Sequence, residues 1–277
     1  MQDSNAERLA RAGYVARGVV FVMVGGLAAL AAMGGGGRTP DSHGALRTLL
    51  AQPYGAVMLG LLSIGLLCFA AWRVAQAVFD ADHLGSRPKS IVRRIGYGAG
   101  AVVNGGLAIS AASLIFAFSG GGSGGDQSAR DWTAYLLQLP FGPFLVGAAG
   151  ATVIGAGCAA AVKAWKASFC EHLALRAGAR AWVVPLGRLG YAARAAVFGL
   201  AGAFLLAAAW HANAREARGL AGTLAALEAQ PYGWLLLLAT AAGLFAFGAF
   251  QFVAARYRRI DAPDLAEAGA KLRLNTA

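Results

Sequence analysis

Six apolar runs alternate along the chain with breaks that carry glycine, proline or charge; they fall at Ala12–Met33, Tyr54–Phe79, Ile95–Phe118, Phe141–Ala164, Leu189–Trp210 and Tyr232–Val253. A helix rising about 1.5 Å per residue crosses roughly 30 Å of hydrocarbon in about 20 residues, the length of each run. Backbone groups facing lipid have no water partner, and the runs lack the period-two alternation of a barrel strand, so all six are predicted as transmembrane helices. The first has basic flanks and an "LAALAAMG" end like a signal-peptidase site. Its length exceeds a signal core of about 7–15 residues, and it has counterparts inside the chain, so it reads as a retained helix.

Those counterparts are written in the sequence. "GYVARGVVF" from Gly13 returns as "GYAARAAVF" from Gly190, and a weaker copy, "GYGAGAVVN", starts at Gly96. A second anchor, "AQPYG" at Ala51–Gly55, recurs at Ala229–Gly233, with "QLPFG" at Gln138–Gly142 between them. From Tyr14 to Tyr54 is 40 residues, from Tyr97 to Phe141 is 44, and from Tyr191 to Tyr232 is 41. The chain therefore reads as one all-α membrane domain of three tandem helix–loop–helix units, spanning approximately 8–85, 90–170 and 185–260. Each unit crosses twice, so the three are parallel repeats. A pseudo-threefold six-helix bundle is the natural packing, and a less symmetric row of hairpins is the alternative.

The anchors have structural readings. Pro53, Pro140 and Pro231 suit the first turn of the second helix of each unit, and Tyr54, Phe141 and Tyr232 suit the outer membrane interface. Gln52 and Gln230 are candidates to accept free N–H groups there. Before each anchor, "GALRTLLAQ", "DWTAYLLQL" and "LAGTLAALEAQ" carry helical apolar spacing and read as short outer helices lying on the bilayer; a lid over a central cavity is the sharper alternative. Gly147, Ala151, Gly155 and Ala159, like Gly96 and Gly100, form rows of small residues that let helices approach closely. Gly34–Gly37 and Gly120–Gly125 read as linkers, without the lysine and Ser/Thr of a phosphate loop.

These motifs together resemble the bacterial membrane family catalogued as domain of unknown function 1206, over about Arg8 to Arg259. The resemblance implies a six-helix bacterial inner-membrane protein and supplies no activity, catalytic residue or cofactor. The middle unit departs most, with Gly100 where the others have Arg17 and Arg194, and Asn104 for the phenylalanine.

A net charge of +11 would suggest nucleic acid in a soluble chain. Sorted by loop, nineteen Lys and Arg fall on the side of both termini and five on the other, while the thirteen acids divide eight to five. Lipid and topology account for that bias, which places both termini in the cytoplasm and leaves no need for a nucleic-acid groove. Cys68, Cys158 and Cys170 form neither a disulfide framework nor a CxxC pair. "DADH" at Asp80–His83 and "CEH" at Cys170–His172 lack the usual metal spacing, so no metal, cofactor or catalytic residue is expected.

The polar residues in the apolar runs include Arg17, Arg73, Gln76, Asn104, Thr152, Lys163, Arg194 and Gln251, with no Asp or Glu, which argues against a proton- or cation-coupled pump. Arg17 and Arg194 are the candidates for a site. Each stands three residues beyond a tyrosine, Tyr14 or Tyr191, near the inner start of its helix. Snorkelling to the interface is one reading. The other is an inward pair that holds an anion such as a lipid phosphate, with Arg93 and Arg94 supplying the charge omitted at Gly100. The expected function is a non-enzymatic structural or interaction protein of the inner membrane that engages anionic lipid. A transporter or channel along the axis between units is the alternative, and an intramembrane enzyme ranks third.

Single cysteines introduced around Pro40, Ser123 and Ala217 of a cysteine-free protein are expected to react with an impermeant reagent from outside the cell, and one near Ser90 only after permeabilisation. Outside labelling near Ser90 would overturn the topology.

Overall fold

The computed structural model describes residues 3–33, 46, 49–51, 54–78, 88–116, 125–174 and 177–258. They form α1 (Asp3–Ala32), α2 (Gly55–Val78), α3 (Pro88–Phe116), α4 (Gly125–Gln138), α5 (Gly142–Lys166), α6 (Ala177–Trp210), α7 (Leu220–Glu228) and α8 (Gly233–Tyr257). Among the described residues the only extended pairing is an isolated bridge between Leu173 and Arg258. Among the described residues six helices are long and apolar enough to span a membrane: α1, α2, α3, α5, α6 and α8. Helix α6 starts well before the apolar run at Leu189 and continues through Pro185.

The second anchor builds the same corner three times. Tyr54, Phe141 and Tyr232 are left-handed, with φ of 61°, 64° and 59°, and each precedes a glycine that begins a spanning helix. A Cβ on Gly55, Gly142 or Gly233 would run into carbonyl oxygens of the preceding short helical segment: Leu49 and Leu50, Leu136 and Leu137, or Leu227 and Glu228. Glycine is therefore required by close backbone approach. The amide of Gly142 donates to Leu139 at 2.9 Å and that of Gly233 to Gln230 at 2.8 Å. Each bond closes a four-residue turn with proline second and a left-handed residue third, the positions such a turn favours.

This corrects the expected placement of the prolines. Pro140 and Pro231 lie in the turn and not in the helix, because the left-handed residue comes after them; Pro53 lies outside the described residues. Pro143 is the proline in the first turn of α5. The side chain of Gln230 donates from Nε2 to the Ala226 carbonyl at 3.4 Å, where the sequence predicts that it accepts a free N–H group. The rings themselves project outward, with Tyr54 84%, Phe141 83% and Tyr232 79% exposed.

The short outer segments do more than float on a bilayer. Leu46, Thr133 and Leu224 hold equivalent places before the three prolines and are 1%, 3% and 0% exposed. Leu46 and Leu224 join one apolar core with Val20, Val24, Leu62 and Leu244 from the spanning helices. Ala217 is also buried, so outside labelling on that loop belongs at the exposed Asn213.

Along the bundle, α3 packs on α2, α2 on α1, α1 on α8, α8 on α6 and α6 on α5. The first helix of each unit thus packs on the second helix of the unit before it, counting cyclically. That is a threefold rule. Within units, α1 meets α2 and α6 meets α8, but α3 and α5 of the middle unit make no comparable contact and stand at the two ends of the row. The ring is open there.

Side-chain size explains the gap. In the first unit, a Cβ on Gly13 would lie 2.6 Å from Phe69 Cα, and one on Gly65 would lie 2.6 Å from Ala16 Cβ. The third unit repeats both contacts, Gly190 against Phe247 at 2.6 Å and Gly243 against Ala193. Tyr14 meets Phe69 edge-on at 5.3 Å, and Tyr191 meets Phe247 at 5.4 Å. In the middle unit Ala156 and Thr152 occupy the places of the phenylalanine and the receiving glycine, both exposed, and Gly96 has nothing within 4 Å of a Cβ. The interlock cannot form.

Gly190→Ala is expected to destabilise the detergent-solubilised protein by about 1–3 kcal/mol, since α6 and α8 must separate. Gly96→Ala is expected to be neutral or to stabilise by up to about 1 kcal/mol through helix propensity. Thermal unfolding followed by circular dichroism compares the two; equal losses would contradict the packing.

Candidate functional site: an arginine–phenylalanine ladder

At the end of the bundle where α1 begins and α2, α5 and α8 finish, basic side chains divide into two groups with different tasks. One group closes helices. Arg11 Nη1 donates to the carbonyls of Ala255 and Arg256, both at 3.1 Å, at the end of α8. Arg94 donates to Ala77 at 2.7 Å and Val78 at 2.8 Å at the end of α2. Arg188 donates to Trp165 at 3.2 Å at the end of α5. These three hold one position in the three units, two residues before Gly13, Gly96 and Gly190. Terminal carbonyls carry partial negative charge and lack intrahelical donors, which is why a cation serves each.

The second group forms a ladder. The Arg194 guanidinium lies 4.6 Å from the Phe247 ring centre and that of Arg17 lies 5.4 Å from the same ring. Arg17 also stands 5.1 Å from Phe69, whose ring has Arg73 at 4.9 Å. Arg73 in turn lies 4.9 Å from Tyr97. The order Arg73, Phe69, Arg17, Phe247, Arg194 crosses α2, α1, α8 and α6. Ring faces attract guanidinium groups and offset part of the repulsion among these three cations. The spans contain no carboxylate.

Arg17 and Arg194 are thus brought together on one ring. Arg94 is committed to the end of α2, and the side chain of Arg93 lies outside the described ones. The cation nearest the missing arginine of the middle unit is Arg73, whose Cδ and Nε lie 3.9 Å from a Cβ placed on Gly100. The spacing of Arg73 from Pro53 gave it an equivalent, Gln251, but no signal that it packs across to Gly100. Phe69 and Phe247 each stand at the same distance from their unit's proline, and that shared offset is the mark they leave in the sequence.

Around the ladder several buried groups have no hydrogen-bond partner among the described residues: the Tyr14 hydroxyl, Arg194 Nε, Gln251 Nε2 and Trp72 Nε1. Tyr14, Trp72 and Gln251 are 2%, 3% and 2% exposed. All four can donate a hydrogen bond, and burying a donor unsatisfied costs about 1–3 kcal/mol. The other polar residues are paired: Asn104 donates to Gly100 at 2.7 Å, Thr152 to Ala148 at 2.8 Å, and Arg73 to Gln76 at 3.2 Å. Lys163 lies 5.8 Å from the Tyr191 ring.

The connection after α5 folds back under this region. Phe169 stacks on Tyr191 at 5.3 Å and meets Phe250 at 5.0 Å, while Ala174 donates to Tyr257 at 2.8 Å. Burial pushes the neighbouring Cys170 thiol up, against the pull of Arg180 and Arg188, which makes it a poor nucleophile at neutral pH. The side chain of His172 and the stretch Asp80–His83 lie outside the described residues.

A helical multi-pass membrane protein built from three tandem two-helix units is the class these features define. The chain belongs to the family described as Domain of Unknown Function (DUF1206), which it matches over residues 12–80, 95–167 and 189–258. It is also 35% identical over 257 residues to the Bacillus subtilis (strain 168) protein described as Uncharacterized protein YxxB, covering 92% of each chain. No solved structure matches it.

Phe247→Leu removes two ring–cation contacts while keeping apolar bulk. Its loss of stability is expected to be about 1–2 kcal/mol in the parent protein and markedly smaller in an Arg17→Gln/Arg194→Gln background. Equal losses in the two backgrounds would show that the ring acts through packing alone.

Proposed function

We propose that this protein is a non-enzymatic module of the bacterial inner membrane, with both termini cytoplasmic, that holds an anionic lipid headgroup at its inner face through Arg17 and Arg194. The observation that carries this reading is the sharing of Phe247 by two arginines from distant units. A third, Arg73, joins them through Phe69. Three cations within a membrane domain repel one another and call for a counter-ion. The spans provide none, and a phosphate fits the planar donor fork of arginine. The unpartnered donors of Arg194 and Gln251 add hydrogen-bonding capacity at the same end.

The apolar core formed by Val20, Val24, Leu62, Ala108, Val197 and Leu244 favours a packed module over a conducting axis. In this reading the protein is a structural or interaction partner of the bilayer. The ladder ties its first and third units to the headgroup layer.

Arg17→Gln/Arg194→Gln is expected to lower retention of phosphatidylglycerol, measured by native mass spectrometry of the purified protein, by about tenfold. Lys271→Gln/Arg273→Gln, an equal loss of charge at the C-terminal tail, is expected to have little effect. Equal reductions would reduce the ladder to general surface electrostatics.

A further inference from the structure

A groove of about 660 Å³ runs between α5 and α6 at the basic end, lined by Ala161, Ala164 and Trp165 on one side and Arg188, Ala192 and Ala195 on the other. On α6 the three lining residues share one face over two turns, with the arginine outermost and the alanines deeper. The helices are drawn together beneath it by glycine: a Cβ on Gly157 would lie 3.2 Å from the Ala195 carbonyl and from the Gly199 amide. Alanine along the seam leaves the channel unfilled. Trp165, 84% exposed, stands at its mouth, as an interfacial tryptophan does.

Arg188 is the member of the helix-closing trio with capacity to spare. Arg11 and Arg94 each serve two carbonyls, whereas among the described residues Arg188 makes one bond, to Trp165 at 3.2 Å, and is exposed. Arg180 shares its electrostatic neighbourhood around Cys170, and Glu171 is the acid that also acts there. Lys166 ends α5 close by. The polar mouth is therefore basic and the floor apolar, with the depth order of an amphiphile.

We infer that this groove seats one anionic phospholipid, its phosphate on Arg188 and an acyl chain along Ala192 and Ala195. The inference rests on the reading of the chain as a lipid-engaging membrane protein, but on a surface separate from the Arg17–Arg194 ladder. Its occupant comes sideways from the bilayer. Trp165 reports on it directly, being in the wall.

The test uses the full chain in detergent, stripped of lipid and titrated with phosphatidylglycerol or phosphatidylcholine carrying dibrominated chains. Trp165 emission is taken as the difference between the parent and a Trp165→Phe variant. Half-maximal quenching is expected at about tenfold less phosphatidylglycerol than phosphatidylcholine, and Arg188→Gln is expected to abolish that preference. Ala192→Phe, and independently Ala161→Leu in case the first misfolds, are expected to suppress quenching by both lipids. Arg17→Gln/Arg194→Gln is expected to leave it unchanged, so failure of the ladder and failure of the groove give different results. Equal quenching of the parent by the two lipids, or undiminished quenching in a correctly folded groove-filling variant, would overturn the inference. Release of the brominated lipid by inorganic phosphate alone would assign Arg188 to a free anion and overturn it equally.

Discussion

The approach of a glycine to a phenylalanine backbone, made once by Gly13 and Phe69 and again by Gly190 and Phe247, governs how the helices are arranged. In a membrane, helices gain little from hiding apolar surface, since lipid is as apolar as leucine; they associate where backbones can come close. Each of these contacts brings a ring from the second helix of a unit against the first. The ring is then available to the arginine one turn away. Packing and charge placement are in this sense the same event.

The middle unit lacks that contact, and its two helices part. Ala156 offers no ring and Thr152 fills the notch that Gly65 and Gly243 leave open elsewhere. Both helices still obey the cyclic rule, α3 on α2 and α5 on α6, yet among the described residues they make no comparable contact with each other. Gly100 in place of an arginine belongs to the same change: without a facing ring, an arginine there would have no aromatic partner within its unit. Arg73 lies beside that glycine instead.

Much of this was legible in the sequence. Six spans and three units follow from lengths and repeated words, and repeat symmetry offers an inward Arg17–Arg194 pair as one of two readings beside snorkelling. Contacts between units were not. Whether Leu46 and Leu224 face lipid or core depends on what lies beneath the short helices, and helical spacing alone is the same for both. Arg94 looked like a spare cation because a carbonyl at a distant helix end leaves no mark in sequence. The prolines were misplaced because a proline before a left-handed residue and a proline opening a helix read alike. Phe69 and Phe247 were hidden by composition, two phenylalanines among fourteen, although alignment on the prolines would have brought them into one column.

Convergence of Arg17 and Arg194 on Phe247 around an anion, with the middle unit left open, is the feature on which the proposed role stands or falls. An experimental density map at side-chain resolution, from protein purified with its native lipid, tests it without an intermediary. Non-protein density of phosphate size is expected between the two guanidinium groups beside Phe247, with α3 and α5 apart. Arginines splayed into separate headgroup layers with no shared density, or α3 packed against α5 in a closed ring, would contradict it.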